Sequence, residues 1–212
     1  MPPGARIDSR GRMATRAFVL DEEEPLTLDV KSAGLTDEQF YQLCADNREL
    51  RLELTAEREL VIMPPTGGET GRRNNRLTQR LANWAEKDGT GEAFESSTGF
   101  NLPNGAKRSP DASWIQRSRW ESLTKAQREE FIPLCPEFVV ELRSRKDRLS
   151  TLQAKMEEYI QNGAELGWLI DPRSKRVYVY RSGRPVECLE NPSTLSGEPV
   201  LPGFLFNVSE IW

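Results

Sequence analysis

The sequence contains no histidine among its 212 residues. Histidine is the commonest general base and the commonest zinc ligand near neutral pH. Its absence therefore excludes Ser-His-Asp hydrolases, Cys-His proteases, HExxH metalloproteases and zinc fingers with paired cysteine and histidine ligands. Any catalysis by this chain has to use carboxylates, lysine, tyrosine, serine or a hard metal ion.

Cysteine is scarce as well, with Cys44, Cys135 and Cys188 far apart and no CxxC pair. Three cysteines cannot supply a zinc site with four cysteine ligands, and their wide spacing disfavours a disulfide scaffold. We expect three buried thiols in a reducing cytoplasm.

Long apolar runs are also missing. No stretch approaches the roughly 18 apolar residues that a membrane span needs. The arginines near the N-terminus are not followed by the apolar stretch of a secretory signal. The sequence therefore predicts a cytoplasmic protein with no membrane partner.

A chain of this length fits one domain. Residues 1–25 carry mixed charges and the acidic run 21–24, with too little apolar periodicity to pack, and they predict a flexible N-terminal extension. Residues 26–212 are expected to form a single domain. The net charge of −4 argues against strong nonspecific binding of duplex DNA but allows a local positive groove.

Hydrophobic periodicity predicts alternating strands and helices within this domain. A capping box at 36–39 predicts the start of a first helix, and the stripe Leu77, Leu81 and Trp84 predicts a long second one. Further predicted segments are a hairpin of 52–54 with 60–63, a strand over 138–142, a helix over about 149–162 and a hairpin around 171–174. Strands interleaved with two long helices predict an α/β (α+β) fold with one mixed β-sheet flanked by helices.

Without histidine, the candidates for chemistry are carboxylates that lie in strands near a cation. Asp111 directly precedes the apolar run 112–115, so its carboxylate is either a ligand for a hard cation or the cap of a turn. Glu141 lies in the most apolar strand, where an unpaired carboxylate is costly to bury. It shares a strand face with Arg143, so the two either form a structural pair or belong to a site.

Lys155 is the third candidate. It lies at the edge of a helical apolar stripe, from where its ammonium group could reach the sheet that carries Glu141. The alternative is a lysine whose stem packs beside the core stripe while its charge stays in solvent.

The order of these residues resembles the core of the PD-(D/E)XK nucleases: a carboxylate, a second carboxylate in an apolar strand, and then a cation. With its flanking segments, the chain also resembles the Uma2 family of putative restriction endonucleases over about residues 35–182. The segments that carry this resemblance are 52–54 (LEL), 61–69 (VIMPPTGGE), 109–111 (SPD), 136–144 (PEFVVELRS), 155–159 (KMEEY) and 168–172 (WLIDP). The ordered set is distinctive, whereas no single segment is.

The resemblance implies a restriction-endonuclease-like core and metal-dependent hydrolysis of DNA. It implies that Asp111 and Glu141 hold Mg²⁺ or Mn²⁺, that Glu53 is a third catalytic carboxylate, and that Lys155 orients or deprotonates the attacking water. In the PD-(D/E)XK motif a lysine follows the second carboxylate by two residues, and in this chain that position is Arg143. Arginine is always protonated and cannot act as a base. Whether Lys155 or Arg143 is the functional cation stays open at this point.

Two groups of arginines are candidate phosphate contacts for DNA. Arg73 and Arg76 lie on one face of the long second helix, and Arg143 and Arg145 directly follow the candidate site. The alternative for the helix is a solvated face with a Glu69–Arg73 pair.

Two alternatives to a nuclease stay open. The same fold could be a catalytically inactive module that binds nucleic acid or a protein, or the chain could be an unrelated hydrolase that uses a carboxylate pair. A homodimer is expected by analogy, because cutting both strands of a duplex requires two sites. The apolar pieces 204–206 and 211–212 belong either to its interface or to the core.

Overall fold

The computed structural model describes residues 25–212. The strands are β1 (Leu26–Asp29), β2 (Arg51–Leu54), β3 (Glu59–Met63), β4 (Gly91–Glu95), β5 (Phe100–Asn101), β6 (Lys107–Arg108), β7 (Ala112–Gln116), β8 (Phe138–Leu142), β9 (Leu166–Asp171), β10 (Arg176–Arg181), β11 (Glu187–Glu190), β12 (Thr194–Ser196) and β13 (Leu205–Asn207). The helices are α1 (Asp37–Asp46), α2 (Gly68–Asp88), α3 (Arg117–Ser122), α4 (Lys125–Glu129) and α5 (Leu149–Gln161), with short 3₁₀ helices at Lys31–Ala33 and Val208–Glu210. The predicted extension over residues 1–25 lies almost entirely outside the described residues. It stays a prediction, as does the single domain over 26–212.

Local sequence signals set the ends of the helices. The Thr36 hydroxyl accepts a hydrogen bond from the Gln39 N–H at 3.2 Å, and the Gln39 side-chain oxygen accepts one from the Thr36 N–H at 2.8 Å. This is the capping box expected at the start of α1. Helix α2 ends at Asp88, because the next residue, Gly89, has a φ of 77° in the left-handed region that glycine adopts most easily.

Two main sheets form the framework. The larger has the order β11-β10-β9-β8-β7-β4 and is mixed, because β8 and β9 run parallel while the other neighbours are antiparallel. The smaller has the order β1-β3-β2-β6-β5 and is antiparallel. The predicted α/β class, with a mixed sheet flanked by helices, is confirmed, although the strands divide between two main sheets instead of one.

Strand β8 lies inside the larger sheet and is buried on both faces. On one face, Phe138 and Val140 belong to the same core cluster as Leu77 of α2. On the other, Val139 belongs to a second cluster with Met156 of α5. The alternation predicted for this strand is therefore present, and it directs the odd-numbered side chains towards α5.

The C-terminal segment contributes to the core. Phe204, Phe206 and Ile211 are buried in the cluster that also contains α2, whereas Leu205 between them is 66% exposed. Of the two alternatives for these apolar pieces, the structure supports core packing.

The prediction of three buried thiols is wrong for Cys188. Cys135 is buried and Cys44 is partly buried, but Cys188 is exposed. The reason is that Cys188 lies on β11, an edge strand of the larger sheet whose residues are mostly exposed. Within residues 25–212, no helix has both the length and the apolar character to cross a membrane.

Candidate active site

Asp111 and Glu141 lie next to each other where β7 pairs with β8. In this antiparallel register Ala112 is opposite Val140, so the next pair outward consists of Asp111 and Glu141. Asp111 Oδ2 accepts a hydrogen bond from the Leu142 N–H at 2.8 Å. This bond holds the Asp111 carboxylate against the end of β8.

Lys155 of α5 joins two carboxylates from different sheets. Its Nζ lies 2.8 Å from Glu53 Oε1 on β2 and 2.8 Å from Glu141 Oε1 on β8. One helical turn later, the buried Tyr159 hydroxyl donates to the same Glu141 oxygen at 3.1 Å. The lysine that the sequence places at the edge of an apolar stripe is thus almost buried and reaches the sheet.

Glu53 is held by two cations and the main chain. Its Oε1 accepts from Lys155 and from the Ser109 N–H at 3.0 Å, and its Oε2 lies 3.1 Å from Arg108. Arg108 in turn contacts Glu158 of α5 at 2.6 Å. Burial by itself would raise the pKa of Glu53, but the charges of Lys155 and Arg108 outweigh it and lower this pKa to about 2. Glu53 is therefore ionised at neutral pH.

Glu141 has the opposite electrostatic balance. Burial raises the pKa of Glu141 to about 7, and the charges of Asp111 and Glu53 add to this effect against the attraction of Lys155. The pKa of Asp111 is also raised, mainly by burial, although Arg51 and the Leu142 N–H oppose the change. Shifted carboxylates of this kind are typical of functional sites.

Lys155 itself stays protonated. Burial favours the neutral amine, but the carboxylates of Glu141 and Glu53 overcome it and raise the pKa of Lys155 above its ordinary value. Of the two roles that the resemblance implies for this lysine, orienting water fits a permanent charge, whereas deprotonating water requires a neutral amine.

The donor chemistry of Asp111 and Glu141 fits a hard cation. Within residues 25–212 no group of three or more His, Cys, Asp or Glu side chains is arranged to hold a metal ion. Mg²⁺, however, keeps several waters and is usually bound through only one or two carboxylates. A cation between Asp111 and Glu141 would stabilise the ionised forms of two buried carboxylates whose pKa values are raised.

Arg143, the other candidate cation, is paired elsewhere. It lies just beyond the end of β8, where its guanidinium contacts Asp171 of β9 at 2.7 Å and donates to the Asp147 carbonyl oxygen at 3.1 Å. The structure thus places Lys155, and not Arg143, in contact with Glu53 and Glu141.

The predicted phosphate contacts lie in different surroundings. Arg73 Nε donates to the Ile211 carbonyl oxygen at 2.7 Å, and its guanidinium lies 3.2 Å from Glu69. This arginine is therefore occupied by the C-terminal segment and by the helical pair that the alternative predicted. Arg76 and Arg145 are exposed, and their role as phosphate contacts stays a prediction.

Sequence reasoning missed two polar side chains that surround Asp111. The Asn74 amide of α2 donates to Asp111 Oδ1 at 2.9 Å, and Arg51 of β2 lies 3.9 Å from the same oxygen. Two sequence spacings indicate on which face of its element each of these side chains lies. Asn74 precedes Leu77 by one helical turn and so faces the sheet, and Arg51 precedes Glu53 by two residues and so shares its strand face.

Comparison with known proteins gives a family match and similar solved structures. The model of a family described as "Uma2: Putative restriction endonuclease" matches residues 37–209. A putative nuclease belonging to DUF820 from Anabaena variabilis ATCC 29413 superposes with a TM-score of 0.64 at 18% identity, over 76% of this chain and 88% of that one. A chain of the DrdV–DNA complex gives a TM-score of only 0.36 at 16% identity, over 57% of this chain and 10% of that one. No curated protein matches.

Proposed function

The chain belongs to the Uma2 family of putative restriction endonucleases, and from this membership we propose that it is a metal-dependent endonuclease of the PD-(D/E)XK type that hydrolyses DNA. The observation that carries the proposal is the position of Lys155, almost buried between Glu53 and Glu141 with Asp111 alongside. Two carboxylates for a cation and one lysine are the groups that such a site requires.

In this proposal Asp111 and Glu141 hold Mg²⁺ or Mn²⁺. When bound, the cation would stabilise the charge that develops on the phosphate and lower the pKa of a coordinated water. Hydrogen bonds from the chain itself orient the two carboxylates. Asn74 and the Leu142 N–H donate to Asp111, and the Tyr159 hydroxyl donates to Glu141.

Lys155 supplies a fixed positive charge beside these carboxylates. Because the pKa of Lys155 is raised, we assign it the roles of orienting water and offsetting negative charge, and not that of a base. Glu53 keeps the ammonium in place and is itself anchored by Arg108, so Glu53 acts through Lys155. Such a site functions without histidine.

A cleavage assay tests the proposal. The purified protein is incubated with supercoiled and with single-stranded DNA in Mg²⁺, Mn²⁺ or EDTA, and we expect nicking with either metal and none in EDTA. Asp111→Asn and Glu141→Gln each remove one ligand charge at nearly constant shape and should abolish most of the nicking. The exposed Glu129 offers a matched control, and Glu129→Gln should cut like the wild type.

A binding module without catalysis is the second candidate, and one observation favours it. Lys155 already pairs with both Glu53 and Glu141, so part of the negative charge is balanced without a metal ion. DNA binding by the wild type without cleavage in either metal would support this candidate and overturn the nuclease.

We further propose a homodimer, since double-strand cleavage needs two sites. Light scattering on the protein with bound DNA should give the mass of two chains plus that of the DNA. A single chain that linearises supercoiled DNA without a second copy would contradict the dimer.

A further inference from the structure

Arg51 lies at the candidate site on the same strand face as Glu53. Successive side chains of a strand point to opposite faces. Only Leu52 lies between the two residues in β2, so they point to the same face. Glu53 reaches Lys155, while the Arg51 guanidinium lies beside Asp111, with Nη1 3.9 Å from Asp111 Oδ1. Strand β2 therefore presents a carboxylate and a cation to the same site.

The contact between Arg51 and Asp111 is looser than the other ion pairs of the site. A charge-assisted hydrogen bond between N–H and a carboxylate oxygen is about 2.7–2.9 Å long, so 3.9 Å is attraction without a hydrogen bond. Lys155, Arg108 and Arg143 all have carboxylate oxygens within 2.8 Å. Their side chains are 11%, 11% and 18% exposed, against 31% for Arg51.

Neutral groups hold the Arg51 side chain in place. Its Nη2 donates to the main-chain oxygens of Ser96 at 3.1 Å and Ser109 at 3.5 Å. Its Nε is buried and, among the residues that the structure describes, has no hydrogen-bond partner. The guanidinium is thus positioned by carbonyl groups that do not neutralise it, while the nearest carboxylate within residues 25–212 is out of hydrogen-bond range.

We propose that Arg51 binds a phosphodiester group of the substrate strand at the Asp111 end of the site. This inference rests on the proposed function. A planar guanidinium matches two phosphate oxygens. Arg51 is partly exposed, and no carboxylate of the part of the chain that the structure describes forms a hydrogen bond with it. A bound phosphate would lie next to the carboxylate assigned to the cation, where it has to lie for hydrolysis.

The salt dependence of DNA binding tests this inference. Binding of a labelled duplex is followed by fluorescence anisotropy, with Ca²⁺ in place of Mg²⁺ to slow cleavage, over a range of salt concentrations. Each phosphate contact adds about 0.9 to the slope of log K against log salt concentration. Arg51→Gln keeps an amide donor for the two carbonyl groups but removes the charge, and should lower the slope by about 0.9. Arg51→Lys keeps the charge and should keep the slope.

Arg117 provides the matched control. Arg117 follows the last residue of β7, whereas Asp111 precedes the first. Like Arg51, it donates a hydrogen bond to a main-chain oxygen (Gly89, 2.7 Å) and has a loose carboxylate contact, with Glu92 at 3.4 Å. Arg117→Gln should therefore leave the slope unchanged. Equal slopes and equal affinities for Arg51→Gln and the wild type would overturn the inference while leaving the proposed nuclease intact.

Two other results are decisive. A wild type that binds no DNA under these conditions would overturn the proposed function and this inference with it. If thermal melting shows that Arg51→Gln is unfolded, Arg51→Lys carries the test. The lysine of this variant cannot donate two parallel N–H groups to one phosphate, so the variant should bind DNA several-fold more weakly than the wild type with the same salt slope. Wild-type affinity of Arg51→Lys would overturn the inference.

Discussion

A buried lysine is stable where carboxylates replace the water that it has lost, and Lys155 has two carboxylate oxygens at 2.8 Å. The same lysine keeps two like charges, those of Glu53 and Glu141, close together. At the scale of single residues, removal of the Lys155 charge would leave the two carboxylates to repel each other, without a cation, in a poorly solvated environment.

Lys155→Met is therefore expected to destabilise the fold by about 3–5 kcal/mol, the usual cost of removing one partner of a buried ion pair. The exposed Lys125 also contacts a glutamate, and Lys125→Met should change the free energy of unfolding by less than about 0.5 kcal/mol. Denaturant unfolding measures both values. Similar effects of the two substitutions would contradict a buried bridging role for Lys155.

The pKa of Glu141 predicts a pH dependence of stability in the metal-free protein. This pKa is about 7 when folded and 4.5 ordinarily, so the folded state binds the proton more tightly. The stabilising contribution of this carboxyl group is complete below about pH 4.5 and is lost as the pH rises to about 7. The difference corresponds to about 3 kcal/mol.

Few other groups interfere in this window. The sequence has no histidine, and the lowered pKa of Glu53 acts below pH 4.5, whereas Asp111 shifts in the same direction as Glu141. In EDTA, the free energy of unfolding of the wild type should fall between about pH 4.5 and pH 7, and that of Glu141→Gln should fall much less. An equal fall in both proteins would show that Glu141 does not titrate as described.

At the scale of secondary-structure elements, the C-terminal segment and α2 depend on each other. Arg73 of α2 donates to the Ile211 carbonyl oxygen, Arg80 contacts Glu210 at 2.9 Å, and Trp84 donates to the Pro202 carbonyl oxygen at 3.1 Å. Because Asn74 of the same helix holds Asp111, this segment supports one wall of the site.

Phe206→Ala should therefore destabilise the fold by about 3–5 kcal/mol, since its fully buried ring would leave a cavity in the core. Leu205→Ala, at the exposed neighbouring position, should change stability by less than about 0.5 kcal/mol. Thermal or denaturant unfolding compares the two. A larger loss for Leu205→Ala, together with dissociation of a dimer, would instead identify this segment as an interface.

The sequence predicted those elements whose signals are local. The capping box of α1, the stripe of α2 and the alternation of β8 each depend on residues within a few positions of one another, and all three are present. The division into two sheets and the exposure of Cys188 depend on which strands become neighbours. No local pattern specifies such pairings.

The same distinction applies to the site. Glu53, Asp111, Glu141 and Lys155 were identified from their order and their flanking segments, and the structure brings them together. The local spacings of Arg51 and Asn74 show only which face each side chain occupies. Their contacts with Asp111 span 60 and 37 positions, and no local pattern specifies them. The pairing of Arg143 with Asp171 was missed for the same reason, since it joins the ends of two parallel strands.

At the scale of the whole molecule, the candidate site lies where the two main sheets meet. Glu53 comes from the smaller sheet, Glu141 from the larger, and Lys155 from the helix that connects β8 to β9. Residues from three elements thus converge only in the complete fold. A divalent cation at Asp111 and Glu141 should consequently stabilise the folded state as a whole.

Titration calorimetry with Mn²⁺ on the DNA-free protein at about pH 8 tests most directly whether Asp111 and Glu141 hold a cation. We predict one Mn²⁺ per chain in the wild type and in Glu129→Gln, weaker binding at about pH 6, where Glu141 is mostly protonated, and loss of binding in Asp111→Asn and in Glu141→Gln. Absence of Mn²⁺ binding by the wild type, or binding that survives both substitutions, would contradict the assignment of these carboxylates as the metal site.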